Sequence, residues 1–355
     1  MAATLTLAAC GNDDPTTAGG DAPASSEAGD LAGALSASGS SAQNSAMTAW
    51  IAGYQGVQSG VTVTYDAIGS GGGRENFLAG AVPLAGSDAY LDEAEQTAAV
   101  EVCGDGGAFN IPVYISPVAV PYNLPNVGTL NLTPSVLAQI FDQQITNWND
   151  PAIAADNPDA ELPDMDITVV NRSDESGTTE NFMEYLSATA ADDWSYEADK
   201  AWPVAGGEAA AQTTGVIEVV GSTEGAIGYA DASAVGSLST AMIGVGEEFV
   251  GYSAEAAAKV VDASELVDTG VEGDLALDLA RDTTESGAYP IVLVSYHIVC
   301  SNYDDAATAD IVKNFVGYVI SEDGQNTAAE AAGSAPISED LRTQAQETID
   351  MVGSN

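Results

Sequence analysis

Three times along this chain, a run of small hydroxyl and glycine residues stands directly before a segment with helical periodicity. The first run is Ser38-Gly39-Ser40-Ser41-Ala42, followed by Met47, Trp50, Ile51 and Tyr54 at i, i+3, i+4 and i+7. The second is Gly69-Ser70-Gly71-Gly72-Gly73, after the alternating stretch Val61-Thr-Val-Thr-Tyr65. The third is Arg172-Ser-Asp174-Glu-Ser176-Gly177-Thr178, after Asp166-Ile-Thr-Val-Val-Asn171 and before Phe182, Tyr185 and Leu186. A strand that runs through such a turn into a helix is the repeating unit of α/β architecture. Other β-rich stretches are Ile111-Pro-Val-Tyr-Ile115, Val118-Ala-Val120, Ala226-Ile-Gly-Tyr229 and Pro290-Ile-Val-Leu-Val294, and Ile311, Phe315, Val316 and Val319 mark a late helix. No fixed-period repeat is visible. One echo occurs: Gly72-Gly-Arg-Glu75-Asn76-Phe77 and Gly177-Thr-Thr-Glu180-Asn181-Phe182 share G-x-x-E-N-F, each opening a helical pattern.

A helix start offers unpaired N–H donors and the positive end of the macrodipole, so it attracts anions. Glycine lets a ligand approach the backbone, and serine and threonine add hydroxyl donors. Arg172 adds a forked charge suited to oxyanions. It is one of only seven Lys+Arg in the chain, which makes its position informative. Each segment alone reads equally well as ordinary helix capping. Three of them, one carrying an arginine, point to an oxyanion site.

The charge balance narrows the partners. Against those seven basic residues stand 53 acidic ones, a formal net charge of −46. A surface this negative repels nucleic acid and anionic lipid headgroups, so no nucleic-acid partner is expected. The acid excess fits solubility in a salty medium. The 355 residues, 45% of them apolar, are enough for two domains with cores of their own.

The chain opens Met1-Ala-Ala-Thr-Leu-Thr-Leu-Ala-Ala-Cys10. Leu7-Ala8-Ala9-Cys10 resembles a bacterial lipobox, in which the cysteine is lipidated; an ordinary secretory signal is the alternative. No basic region precedes it. Residues 11–30 are rich in Gly, Ala, Ser, Pro and Asp and read as a flexible linker. No stretch of 18 uncharged apolar residues predicts a transmembrane helix. With Cys10 lipidated, Cys103 and Cys300 form an even pair, read either as a disulfide or as two buried thiols.

Taken in order from about Leu31 to the C-terminus, the segments resemble the PstS family, phosphate receptors of ABC transporters. The resemblance runs through Ile68-Gly-Ser-Gly-Gly-Gly73, Ala85-Gly-Ser-Asp88-Ala89-Tyr-Leu91, Pro117-Val-Ala-Val-Pro-Tyr-Asn-Leu124, Ile145-Thr-Asn-Trp148-Asn-Asp-Pro151, Asn171-Arg-Ser-Asp-Glu-Ser-Gly-Thr178 and Gly225-Ala-Ile-Gly-Tyr229. It implies a two-lobed, type II periplasmic-binding-protein-like α/β fold with mixed sheets, flanking helices and a two-strand hinge. Lobe one is expected at 31–118 plus 290–355 and lobe two at 119–289, after a signal segment 1–10. The resemblance further implies phosphate-binding roles for Ser41, Ala42, Ser70, Asp88, Arg172, Ser176, Gly177 and Thr178, with Asp174 holding Arg172. Ser41 stands where the family has threonine. Ala42 stands where an aromatic is often found, and only its N–H is needed. The implied partners are inorganic phosphate and the permease subunits of an ABC transporter, on the extracytoplasmic face of a bacterial membrane. A monomer without cofactor or metal is expected.

Asp88 departs from a simple anion site. A carboxylate facing a bound anion is repulsive unless the ligand brings a proton, which phosphate does near neutral pH and sulfate does not. Other candidates read as structural. His297, the only histidine, sits in the apolar run Val294-Ser-Tyr-His-Ile-Val-Cys300 and reads as a core or strand-end residue. Arg74 follows the glycine run and could reach the anion, but reads more readily as a solvated first-turn side chain, and Glu75 and Glu180 read as complements to their helix starts. No metal-ligand spacing and no G-x-S-x-G string occur, so neither metal chemistry nor a serine hydrolase is expected. A receptor for another oxyanion, a serine-dependent phosphatase using Ser70 or Ser176, and a purely structural surface protein remain as rivals.

Overall fold

The computed structural model describes residues 31–354. The signal segment with Cys10 and the linker 11–30 lie outside the described residues.

Strand and helix alternate from the start: β1 (Gly33–Gly39), α1 (Asn44–Val57), β2 (Val61–Asp66), α2 (Ser70–Leu78), β3 (Leu84–Ser87), α3 (Glu93–Cys103) and β4 (Ala108–Ala119). β1 lies parallel to both β2 and β3, as crossover helices require. The helix starts are set locally. Asp92 and Glu95 form a capping box at α3, each side chain bonding the other's backbone N–H.

The middle of the chain builds β5 (Pro121–Tyr122), β6 (Asn131–Leu132), α4 (Pro134–Phe141), α5 (Pro151–Asp156), β7 (Thr168–Arg172), α6 (Gly177–Thr189), β8 (Glu208–Ala210), α7 (Gln212–Ser222), β9 (Ala226–Gly228), β10 (Ala230–Asp231) and β11 (Ser239–Thr240). After β12 (Met242–Val245), β13 (Glu248–Val250), α8 (Ala254–Asp262), β14 (Glu265–Leu266) and β15 (Leu277–Asp278) comes β16 (Val292–Cys300). β17 (Asn302–Tyr303), α9 (Ala306–Ile320), α10 (Glu322–Ala332), α11 (Glu339–Met351) and β18 (Gly353–Ser354) finish the described chain.

Two sheets organise these elements. A six-stranded sheet has the order β10-β4-β16-β3-β1-β2, and a five-stranded one β11-β5-β9-β7-β8. The chain first passes between them at residues 119–121 and returns at 228–230. β4 and β16 are buried along their whole lengths and run antiparallel. The two short β-rich runs expected at 111–115 and 118–120 are thus one continuous strand through Ala119. Its pairing shifts register between Ser295 and Tyr296, opposite Pro112, which has no N–H to give the ladder. That bulge lies at the residue that reaches the candidate site described below.

On one side of the larger sheet, Trp50 meets Tyr114 edge-on at 6.4 Å and His297 stacks over Phe315 at 6.0 Å. The smaller sheet is covered by Phe141, Phe182, Trp202 and Tyr229, with Phe182 and Tyr229 stacked at 4.7 Å. Cys103 at the end of α3 and Cys300 at the end of β16 are joined in a disulfide, with Cα atoms 4.8 Å apart.

Candidate functional site

The three hydroxyl- and glycine-rich turns come from different parts of the chain and meet at one place. α1 follows Ser40–Gln43 beyond β1, α2 starts at Ser70 beyond β2, and α6 starts at Gly177 beyond β7. Gly69 precedes α2 with φ +101°, a left-handed backbone that a side chain rarely adopts. Ser176 caps α6: its Oγ accepts from the Thr179 N–H at 3.3 Å, and its own N–H donates to the Lys200 carbonyl at 2.9 Å.

Asp88 follows β3 and is 3% exposed. Its Oδ2 accepts from the Ser70 hydroxyl at 3.3 Å and the Thr178 hydroxyl at 3.4 Å. Its Oδ1 accepts from the Ser295 hydroxyl, and its N–H donates to the Ser70 Oγ at 3.1 Å. Burial pushes the Asp88 carboxyl up; the hydroxyls of Ser295, Ser40 and Ser70 and the charge of Arg172 pull it back only in part. It therefore sits above the usual carboxylate range while remaining surrounded by donors.

Arg172 ends β7 and is also buried. Its Nε donates to the Asp174 Oδ1 at 2.8 Å, and its NH2 to the Asp174 Oδ2. Burial alone would raise the Asp174 carboxyl, but the bond and charge from Arg172 and the Gln212 N–H, which donates at 2.9 Å, hold it below its ordinary value. The two sides of the site nearly touch. A β-carbon on Gly69 would lie 2.6 Å from the Glu175 carbonyl oxygen and 3.6 Å from the Arg172 NH2.

Ser41 bridges to the start of α7. Its Oγ lies 3.1 Å from the Thr213 Oγ1 and accepts from the Thr213 N–H at 3.3 Å. The Ala42 N–H donates to the Ser40 Oγ at 3.0 Å. The structure thus gathers Ser41, Ser70, Asp88, Arg172, Asp174, Ser176, Gly177 and Thr178 around one centre, with Ala42 at its α1 edge. Among the described residues, no group of three or more His, Cys, Asp and Glu could hold a metal ion.

Four further residues of this centre are not among the site residues read from the sequence. Ser295 lies in an apolar strand 207 positions from Asp88, and only the sheet pairing brings them together. Thr213 opens a helix that looks like any other. Tyr229 accepts from the Arg172 N–H at 3.3 Å and shares a bond with the Thr179 Oγ1 at 2.8 Å. The Asn181 Nδ2 donates to the Asp88 carbonyl at 2.6 Å. Arg74 also needs correction: it is not a solvated first-turn side chain but 3% exposed, ion-paired with Glu95 at 3.1 Å and Glu180 at 3.4 Å. His297, by contrast, is a core residue, and burial pushes it down to about 3.

The family model that matches this chain is the PBP superfamily domain, over residues 19–323. Phosphate-binding protein PstS 3 of Mycobacterium tuberculosis is 37% identical over 360 residues, covering 99% of this chain and 96% of that protein. The chain belongs to the PstS family. Phosphate-binding protein PstS 2 of the same organism is 34% identical, again over 99% of this chain. Among solved structures, a phosphate-binding protein from Stenotrophomonas maltophilia superposes with TM-score 0.70 at 21% identity, covering 89% of this chain and 94% of its own. A putative phosphate ABC transporter substrate-binding protein from Clostridium perfringens, with bound phosphate, gives TM-score 0.61 at 19% identity, over 84% and 98% of the two chains. At those identities the likeness is one of fold: the two-lobed type II α/β arrangement is common to this PstS-family chain and both structures.

Proposed function

We propose that this PstS-family chain captures inorganic phosphate outside the cytoplasm and delivers it to an ABC transporter for import. The observation that carries this reading is Asp88, a buried carboxylate set among hydroxyl donors at the meeting point of three helix starts and one arginine. Ser41, Ser70, Ser176 and Thr178 offer hydroxyls, Gly177 offers its N–H, the Ala42 N–H serves once it exchanges the Ser40 Oγ for the ligand, and Arg172, steered by Asp174, offers the remaining arm of its charged fork. Asp88 takes the hydrogen bond of a protonated ligand oxygen. Helix starts on both sheets would bind one anion together, so binding and closure are a single event.

The same reading places lobe one at 31–118 plus 290–355 and lobe two at 119–289. The supporting fact is that the chain leaves the larger sheet just after Ala119, touches it again only through the two-residue β10, and rejoins it for good in β16. It also places a lipid on Cys10, supported by Leu7-Ala8-Ala9-Cys10, and treats the receptor as a monomer that turns over no phosphoester. Among the described residues no helix is long and apolar enough to cross a membrane. Loss of fatty-acid labelling in Cys10→Ala cells tests the anchor.

Calorimetric titration of the purified protein with phosphate and with sulfate tests the central claim. Tight phosphate binding with far weaker sulfate binding is expected. Equal binding of both, or of neither, overturns it.

A further inference from the structure

Two neighbours on α6, Glu180 and Asn181, reach across to the larger-sheet side: Asn181 ends on the turn that carries Asp88, and Glu180 ends on Arg74, which grips the same turn. The Asn181 Nδ2 holds the Asp88 carbonyl at 2.6 Å. Glu180 holds Arg74 of α2, and Arg74 spends the rest of its fork on the turn itself. Its NH1 donates to the Ser87 Oγ at 3.2 Å and to the Ala89 carbonyl at 3.5 Å, while its Nε stays on Glu95 of α3 at 3.1 Å. Ser87 and Ala89 are also tied to each other, through the Ser87 hydroxyl and the Ala89 N–H. Asn181 is braced from behind by Arg281, whose NH1 is fixed on the Val292 carbonyl at 2.8 Å.

We propose that Arg74 is a positioning residue that couples closure of the two lobes to the placement of Asp88, with Glu180 as its partner across the cleft. Three of its bonds lie within the larger-sheet side and persist whenever α2, α3 and β3 are folded. Only the Glu180 bond depends on the lobes being together. Closure therefore adds a counter-charge to a buried cation that already grips residues 87 and 89. Opening removes that one bond and leaves Glu95 as the only acid on Arg74, so the grip on residues 87 and 89 is tightest when the lobes are together.

The repeated G-x-x-E-N-F string gains a meaning from this. In the second copy, Glu180 and Asn181 lock the Asp88 turn. In the first, Glu75 is exposed, but the Asn76 Nδ2 donates to the Ser38 Oγ at 3.1 Å, at the end of the strand that leads to Ser41. Each asparagine thus ties its helix to a different wall of the same cup.

The proposal rests on the phosphate reading, so wild type is titrated first. Stopped-flow dissociation of phosphate and the ratio of phosphate to sulfate affinity are then measured for Arg74→Gln, Glu180→Gln and the double variant. Arg74→Gln is expected to release phosphate about 10-fold faster and to lose part of the discrimination against sulfate, and Glu180→Gln to release it about 3-fold faster. The double variant should resemble Arg74→Gln alone, because the two residues act as one unit. A merely structural role would lower the melting temperature of the unliganded protein and leave the off-rate and the affinity ratio unchanged; that result overturns the proposal. Should Arg74→Gln fail to fold, Glu180→Gln with a wild-type off-rate overturns it equally. A wild type that binds no phosphate overturns the phosphate reading, and the proposal falls with it.

Discussion

The α-carbon of Gly177 sits against Asp88: a β-carbon added at residue 177 would stand 2.7 Å from the Asp88 Cβ and 2.7 Å from the Ser70 Oγ. Gly177 comes from the start of α6 and Asp88 from the end of β3, so this contact joins the two sheets' sides of the site. Gly177→Ala should therefore obstruct closure rather than folding. Overpacking of this kind costs about 1–3 kcal/mol, which lowers phosphate affinity about 10- to 100-fold. Titration calorimetry reads the affinity, and unliganded melting should stay near wild type. An unchanged affinity would show that closure does not bring these residues together.

Asp88 predicts a pH-dependent selectivity. Above its raised folded pKa it is a carboxylate and can only accept, so a facing ligand oxygen must carry a proton. Below that pKa it holds the proton itself and can donate to sulfate. Sulfate affinity should rise on acidification through that raised pKa, while phosphate stays bound. Asp88→Asn should remove that dependence, improve sulfate binding and weaken phosphate about 10- to 100-fold. Sulfate binding that ignores pH in wild type would contradict this account.

His297 predicts the acid limb of stability. The buried ring sits at about 3 against an ordinary 6.5, so below about pH 6.5 the unfolded chain takes up a proton that the folded one refuses. Its contribution is complete above that pH and is lost at about 1.4 kcal/mol per unit as pH falls toward 3. Asp231, pushed by burial up to about 6, and Glu180, pushed by burial up to about 7, act with the opposite sign. Their contributions are greatest in acid and are lost as pH rises through those values. Urea midpoints of wild type and His297→Phe between neutral and acid pH separate the terms. The variant should show the shallower acid loss, and parallel curves would exclude the histidine.

With a net charge of −46, the protein repels phosphate at long range. Salt screens that repulsion, with a Debye length of about 3 Å at 1 M. Association rates should rise with NaCl, and stopped-flow measurement would expose the idea as wrong if they fell.

The Cys103–Cys300 bond spans 197 positions. In the chain-entropy account a loop of that size contributes on the order of 5 kcal/mol, an upper figure because denatured chains retain structure. Replacing both cysteines with serine should lower the urea midpoint in proportion, with phosphate affinity retained. Two free thiols in the denatured, unreduced protein would rule the bond out.

How much of this was readable in sequence differs by distance along the chain. Val61-Thr-Val-Thr-Tyr65 became β2, and Met47, Trp50 and Tyr54 face inward from α1, because alternation and helical spacing are local signals. The glycine and serine turns were legible for the same reason, since a helix start advertises itself in its own residues. Ser295, Thr213 and Tyr229 were not, because each enters the site through pairing or packing with residues far away in sequence. Arg74 was misjudged because first-turn position says nothing of which acids fold over it.

One consequence follows from where β16 lies. In the larger sheet it separates β3 from β4, strands that the chain makes long before it, as the pairs His297 with Gly86, 211 positions apart, and Val292 with Pro117, 175 apart, show. A chain threaded through an export channel from its N-terminus would thus deliver both neighbours long before the strand that joins them. The first half cannot finish its own sheet while it waits, and Ser295, which Asp88 needs, arrives with that last strand. Completion of the larger sheet and completion of the site are then one event, late in the chain.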